Sequence, residues 1–135
     1  MVSLIKASKN QKFPALIAVV ITDNELALGI PLAKNYNIPI KVFDKKKFNK
    51  SQFEINCQKI LLNYKIEIIC LAGFMQILSK KFISMWQNKI INIHPSYLPQ
   101  NKGLNPQKQA IDKKSSFTGC TVHFVNEEVD SGKII

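Results

Sequence analysis

Arginine is absent from this sequence, although basic residues are abundant. All 19 basic residues among the 135 are lysine, against 9 acidic residues, so the formal net charge is +10. The planar guanidinium of arginine can donate two hydrogen bonds at once to guanine or to phosphate, and lysine has no such group. The lysines are also dispersed, with one run of three at 45–47. A nucleic-acid partner is therefore the weakest of the interpretations that the charge allows.

Cysteine is scarce, and long apolar runs are missing. The three cysteines, Cys57, Cys70 and Cys120, are far apart in apolar surroundings, which suits neither a zinc site nor a disulfide framework. We expect buried, reduced thiols and no bound metal. No apolar run approaches the ~18 residues of a membrane helix, and the N-terminus lacks the features of a signal peptide. The sequence thus predicts a cytoplasmic protein with no membrane association.

Glycine is also rare, with five residues in the chain, and no linker or repeat divides the sequence. Apolar residues make up 46% of the 135 positions, which is enough for a core in a chain of one-domain length. We therefore predict a single domain over residues 1–135.

Apolar runs alternate with helical patterns along the chain. Runs at 15–21, 38–43 and 66–72 predict strands, the first buried on both faces and the last central in the sheet. A short helix is predicted at 29–37, and a longer one opens with a capping box of Ser51 and Glu54. Its apolar stripe consists of Phe53, Cys57, Ile60, Leu61 and Tyr64. Ser79 is expected to cap another short helix. The alternation predicts an α/β fold with a mostly parallel open sheet and flanking helices.

Polar residues follow the apolar run at 89–91. Asn92 and His94 come directly after it, and Asp130 lies in a later Asp-Ser-Gly segment. In open α/β sheets, ligands bind beyond the carboxyl ends of the strands. An amide, an imidazole and a carboxylate there could polarise a carbonyl, move a proton and orient the imidazole. By spacing alone, the favoured interpretation is that these residues bond loop backbone or form a turn.

Four segments carry a resemblance to a known family. Residues 92–99 read Asn-Ile-His-Pro-Ser-Tyr-Leu-Pro, and segments 71–79, 119–125 and 129–135 agree in order and spacing. Together they resemble the folate-dependent formyltransferases, most closely the branch that formylates glycinamide ribonucleotide in purine synthesis. Methionyl-tRNA formyltransferases usually carry arginines where residues 100–103 stand here, and formyltetrahydrofolate deformylases tend to have a second histidine in place of Pro95. These two branches are the less favoured alternatives.

The resemblance implies a Rossmann-like fold and a reaction. The expected activity is formyl transfer from 10-formyltetrahydrofolate to the amine of glycinamide ribonucleotide. Asn92 and His94 would donate to the formyl oxygen, and Asp130 would hold His94 in its cationic form and accept the amine's proton. None of these three is a nucleophile, so the attacking group comes from the substrate. The implied folate-binding residues are Met75, Gln76, Ile77, Leu78 and Asn92.

The sequence also departs from this family. Relatives begin with a strand and a glycine-rich loop that holds the substrate phosphate, whereas the first glycine here is Gly29. We therefore expect an incomplete domain without that strand and loop, short at the C-terminus as well. Gln76 replaces an arginine of the family's folate loop. The alternative to an active enzyme is a non-catalytic remnant or split-gene piece, with a second chain that supplies the missing parts.

Two further polar residues are given structural roles by their sequence context. His123 lies in an alternating stretch and is predicted to be a locally hydrogen-bonded sheet residue. Ser96 is predicted to cap its loop, because no general base accompanies it in the motif.

Overall fold

The computed structural model describes all 135 residues, which form two compact units, Met1–Ile66 and Glu67–Ile135. Each unit contains its own small sheet with helices between the strands. Two of the three strand pairs are parallel and one is antiparallel. The predicted α/β class with mostly parallel strands is confirmed. The assignment of residues 1–135 to one domain stays a prediction.

The first unit alternates helices with two parallel strands. Its elements are α1 (Val2–Ala7), β1 (Val20–Thr22), α2 (Gly29–Asn35), β2 (Ile40–Val42) and α3 (Lys50–Asn63). The helix predicted at 29–37 is present. The strand predicted at 15–21 was wrong in extent and burial, since β1 is half-buried and its backbone pairing with β2 begins at Val20. Leu16 lies before that pairing and is exposed.

Helix α3 begins two residues earlier than the sequence pattern suggested. The Asn49 side chain accepts a hydrogen bond from the backbone N–H of Gln52, and the Gln52 side chain accepts one from the backbone N–H of Asn49, both at 3.0 Å. The capping box is therefore Asn49 with Gln52, and not Ser51 with Glu54. Asn caps as well as Ser does, and it is Asn49 that has the extended backbone of an N-cap residue. The predicted apolar face is present, with Phe53, Cys57 and Leu61 buried.

The second unit contains a three-stranded sheet in the order β3-β4-β5. Its elements are β3 (Ile69–Leu71), α4 (Lys80–Met85), β4 (Ile90–His94), α5 (Pro106–Asp112) and β5 (Thr121–Phe124). The strand predicted at 66–72 is shorter and lies at the edge of this sheet. The predicted cap of α4 is confirmed, because Ser79 Oγ accepts from the Phe82 N–H at 3.1 Å. No helix in the chain is both long and apolar enough to cross a bilayer.

The three cysteines differ in their surroundings. All are free thiols, and Cys57 is buried while Cys70 and Cys120 are exposed. The prediction of three buried thiols was therefore wrong for two of them. Burial, followed by the nearby charges of Glu54 and Asp23, raises the pKa of the Cys57 thiol to about 12. Cys70 is exposed as a residue, but neighbouring atoms still partly desolvate its thiol, which raises the pKa of that thiol.

Thiol labelling should distinguish these cysteines. The thiolate is the reactive form, so at mildly alkaline pH we expect Cys120 to react first, Cys70 more slowly, and Cys57 only after denaturation. The rate of labelling with an aromatic disulfide reagent measures this order. Cys120→Ser and Cys70→Ser variants assign each kinetic phase of the labelling to its cysteine. Rapid modification of Cys57 in the folded chain would contradict the packing of α3.

Candidate active site

Strand β4 places two polar side chains on one face of the sheet. Asn92 and His94 are two residues apart, and residues at that spacing point to the same side of a strand. The antiparallel neighbour β5 sets His123 opposite Asn92 and Thr121 opposite His94. On the other side, Leu71 at the end of β3 is opposite Asn92. The polar pair therefore lies where β3 and β4 both end.

The segment after β5 returns along that strand and carries Asp130 to the same place. Phe124 N–H donates to the Lys133 carbonyl at 2.8 Å, and Ile135 N–H donates to the Val122 carbonyl at 3.0 Å. Asp130 adopts a left-handed conformation with φ of 50°, which Asp tolerates better than most residues. A Cβ at Gly132 would collide with the carbonyl of Phe124. The close return of this segment therefore requires glycine at 132.

We expect Gly132→Ala to destabilise the chain by about 1–3 kcal/mol, the range for forcing extra atoms into a packed site. The new methyl group can be accommodated only if the segment moves away from β5, which would also displace Asp130. Gly119→Ala is the matched control, because a Cβ there meets no atom within 4 Å. Urea denaturation of both variants measures the difference. Equal stabilities would show that the return of 130–135 is not tightly packed.

The His94 imidazole and the Asp130 carboxylate are in direct contact, and both are buried. His94 Nδ1 lies 3.2 Å from Asp130 Oδ2, and the two side chains are only 7% and 10% exposed. The other ring nitrogen, Nε2, lies 2.9 Å from the Asn101 carbonyl oxygen. Both partner atoms are acceptors, so both contacts are hydrogen bonds only when each ring nitrogen carries a proton. The surroundings of His94 therefore suit the imidazolium ion.

The loop at 101–103 is tied to the same carboxylate. Gly103 N–H donates to Asp130 Oδ2 at 2.9 Å, and Lys102 Nζ donates to Ser131 Oγ at 2.7 Å. Asp130 Oδ2 thus receives a backbone hydrogen bond besides its contact with His94. The Ser96 hydroxyl donates to the Gln100 carbonyl at 2.7 Å, a loop-capping contact of the predicted kind. These bonds hold the loop beside the His94–Asp130 pair.

His123 lies closer to the site than its sequence context suggested. It is 2% exposed, and its Nδ1 lies 2.8 Å from the Phe124 carbonyl oxygen, which is the predicted local contact. Its Nε2, however, lies 3.3 Å from Asn92 Nδ2 and 3.5 Å from Asp130 Oδ1. The sequence pattern placed His123 on one face of a strand, but only the antiparallel register with β4 puts that face against Asn92.

Comparison with known proteins identifies the family. The model of the formyl transferase family matches residues 1–135. The chain belongs to the formyl transferase family.

Relatives with assigned names agree with this membership. The chain is 42% identical over 134 residues to phosphoribosylglycinamide formyltransferase of Haemophilus influenzae. The aligned region covers 98% of this chain and 63% of that enzyme. It is 41% identical over 134 residues to the human trifunctional purine biosynthetic protein adenosine-3, of which it spans 13%. The chain therefore spans less than two thirds of the length of these curated relatives.

Solved formyl transferase structures resemble the chain in fold. Phosphoribosylglycinamide formyltransferase from Brucella melitensis matches with a TM-score of 0.92 and 41% identity, over 99% of this chain and 69% of that one. A formyltetrahydrofolate deformylase from Burkholderia mallei matches with a TM-score of 0.84 and 30% identity, over 98% of this chain and 46% of that one. The Rossmann-like formyltransferase fold expected from the sequence is confirmed.

The loop after β3 contains the remaining predicted folate-binding residues of this formyl transferase chain. It leaves the sheet at Leu71, opposite Asn92. Met75 and Ile77 are 76% and 65% exposed, and Gln76 and Leu78 are half-buried. Met75 and Ile77 therefore do not fill a core in this structure, and a role in binding folate stays a prediction. The chain shows no cluster of three or more His, Cys, Asp or Glu side chains placed to hold a metal.

Proposed function

We propose that this chain carries the formyl-transfer centre of a phosphoribosylglycinamide formyltransferase, with 10-formyltetrahydrofolate as donor and glycinamide ribonucleotide as acceptor. The observation that carries the proposal is the buried contact between His94 and Asp130, at 3.2 Å. His94 lies two residues beyond Asn92 on the same face of β4. The names of the relatives support the choice of substrates. Free thiols and water-soluble substrates suit a cytoplasmic location.

The reaction needs donors for an oxygen and an acceptor for a proton. The amine of the ribonucleotide attacks the formyl carbon, whose oxygen then becomes an oxyanion. An N–H of Asn92 and the Nε2–H of His94 donate to that oxygen, with His94 exchanging its bond to the Asn101 carbonyl for the substrate. Asp130 takes the proton of the attacking amine, directly or through water. Collapse of the intermediate breaks the bond between the formyl carbon and the folate nitrogen and forms the new amide. The proton held by Asp130 passes to the departing folate nitrogen, directly or through water.

The charge of the site favours this role for His94. A carboxylate buried beside an imidazole stabilises the cationic ring, and a cation is the stronger donor to a developing negative oxygen. The backbone N–H of Gly103 fixes one oxygen of Asp130. The other oxygen, Oδ1, has only the longer contact with His123, so it is the one available to accept a proton.

Hydrolysis of the formyl group is the second candidate, favoured by the structural likeness to a formyltetrahydrofolate deformylase. The same three side chains could activate a water molecule in place of the amine. Binding of folate without transfer is a further alternative. These functions differ in their products, namely formylated ribonucleotide, free formate or neither.

The test is an assay of the purified chain with 10-formyltetrahydrofolate, in the presence and absence of glycinamide ribonucleotide. We expect release of tetrahydrofolate that depends on the ribonucleotide, with the formyl group recovered on its amine. A chimera in which residues 1–135 replace the matching segment of the Haemophilus influenzae enzyme gives a second measurement of the same site. Formate release alone would favour the deformylase function, and a chimera without transfer would overturn the proposal.

A further inference from the structure

We propose that His123 is a positioning residue that fixes the orientation of the Asn92 amide. In its neutral form, protonated at Nδ1, His123 accepts an N–H from Asn92 through Nε2. The Asn92 amide is then held with its nitrogen towards the histidine and its second N–H available for the formyl oxygen. This inference rests on the proposed function of Asn92.

The first step concerns the proton on Nδ1. This nitrogen lies 2.8 Å from the carbonyl oxygen of Phe124, and a carbonyl can only accept a hydrogen bond. Nδ1 must therefore carry the proton. Because the carbonyl belongs to the next residue of β5 and the ring is buried, the strand itself holds the ring in this position.

The second step concerns Nε2, which has two polar neighbours. The amide nitrogen of Asn92 is at 3.3 Å and Asp130 Oδ1 is at 3.5 Å. The contact with Asp130 is the longer of the two, and the other oxygen of Asp130, Oδ2, already faces His94 Nδ1 and the Gly103 N–H. Nε2 is therefore best described as an acceptor for Asn92, and the neutral ring satisfies both of its short contacts.

The third step concerns the amide itself. An Asn side chain presents two donors at one end and an acceptor at the other. If Nε2 carried a proton, the Asn92 amide would have to turn its oxygen towards His123. The amide oxygen would then stand where the amide nitrogen stood, and the second N–H would no longer be available for the formyl oxygen. A developing oxyanion beside Asn92 needs a donor, so the acceptor state of His123 supports the transition state without touching the substrate.

Nitrogen NMR of the intact chain tests the tautomer without any need for activity. The chain has only two histidines, so ¹⁵N-histidine labelling gives two imidazole rings, and His123→Gln assigns them. We expect His123 to show a protonated Nδ1 and an unprotonated Nε2 at neutral pH, with the Nε2 resonance shifted in Asn92→Ala. A His123 ring protonated at Nε2, with or without Nδ1, would overturn the proposal even if the chain transfers formyl groups.

Kinetics of the chimera test the consequence. His123→Leu removes the acceptor, and we expect kcat to fall about tenfold, equivalent to one lost hydrogen bond, with little change in the KM for folate. His123→Gln places an oxygen near the position of Nε2 and should recover much of that loss. In an Asn92→Ala background, His123→Leu should have no further effect on kcat. Equal losses for Leu and Gln, or a full further loss in that background, would indicate a merely structural role.

Discussion

Replacing Asn92 or His94 by alanine in the active chimera is expected to lower kcat by about 10²–10³-fold, the usual effect of removing one oxyanion donor. Both side chains lie on the same face of β4, at the carboxyl end where β3 also ends. Their bonds to the formyl oxygen strengthen as it gains charge, so they stabilise the transition state more than the bound substrate. Affinity for the folate should therefore change little. Steady-state kinetics, combined with equilibrium folate binding, separates the two quantities.

The double replacement of Asn92 and His94 should cost less than the product of the single effects, because the two donors share one oxygen. Asn63→Ala is a suitable control, since Asn63 is an exposed residue at the end of α3 in the other compact unit. It should leave kcat close to the parental value. Near-parental kcat in both Asn92→Ala and His94→Ala would show that the oxyanion is stabilised elsewhere.

Features set by neighbouring residues could be predicted from the sequence. The Ser79 cap and the helix at 29–35 depend on a few adjacent positions, and both are present. The start of α3 was misplaced because two pairs, Asn49 with Gln52 and Ser51 with Glu54, satisfy the same local rule. Only the extended backbone at Asn49 determines which pair is used.

Features set by strand pairing could not be predicted in this way. The apolar run at 15–21 indicated a strand, but pairing with β2 begins only at Val20. The exposure of Cys70 and Cys120 likewise depends on which parts of the fold cover them. Apolar neighbours in the sequence do not determine this. For the same reason, the contact between His123 and Asn92 follows from the register of β4 and β5.

The candidate site combines both kinds of information. Asn92 and His94 are neighbours in sequence, so an alternating strand is enough to place them together. Asp130 is 36 residues beyond His94, and it reaches the pair because the segment 130–135 turns back along β5. No local pattern encodes that return, and the resemblance to the family supplied the prediction. In the structure the His94 and Asp130 side chains lie 3.2 Å apart, and their catalytic role stays a prediction.

Asp130→Asn is the substitution that tests this contact most directly, and we expect it to lower kcat by about 10²–10⁴-fold, the range for a positioned proton-transfer group. The variant has nearly the same shape but cannot accept a proton from the attacking amine. It also removes the carboxylate oxygen that His94 Nδ1 faces at 3.2 Å, so the ring is less firmly oriented as a donor to the formyl oxygen. Folate affinity should again change little.

The control for Asp130→Asn is Asp112→Asn, which removes a carboxylate of the same kind from an exposed ion pair with Lys108. Exposed pairs of this type contribute less than about 1 kcal/mol to stability, so this variant should keep kcat. ¹⁵N-histidine NMR of the chain should meanwhile show a shift of the His94 Nδ1 resonance in Asp130→Asn, because this nitrogen faces Asp130 Oδ2 at 3.2 Å. If the His94 Nδ1 resonance and kcat are both unchanged, then Asp130 neither orients His94 nor receives the proton, and the amine must lose its proton to another group.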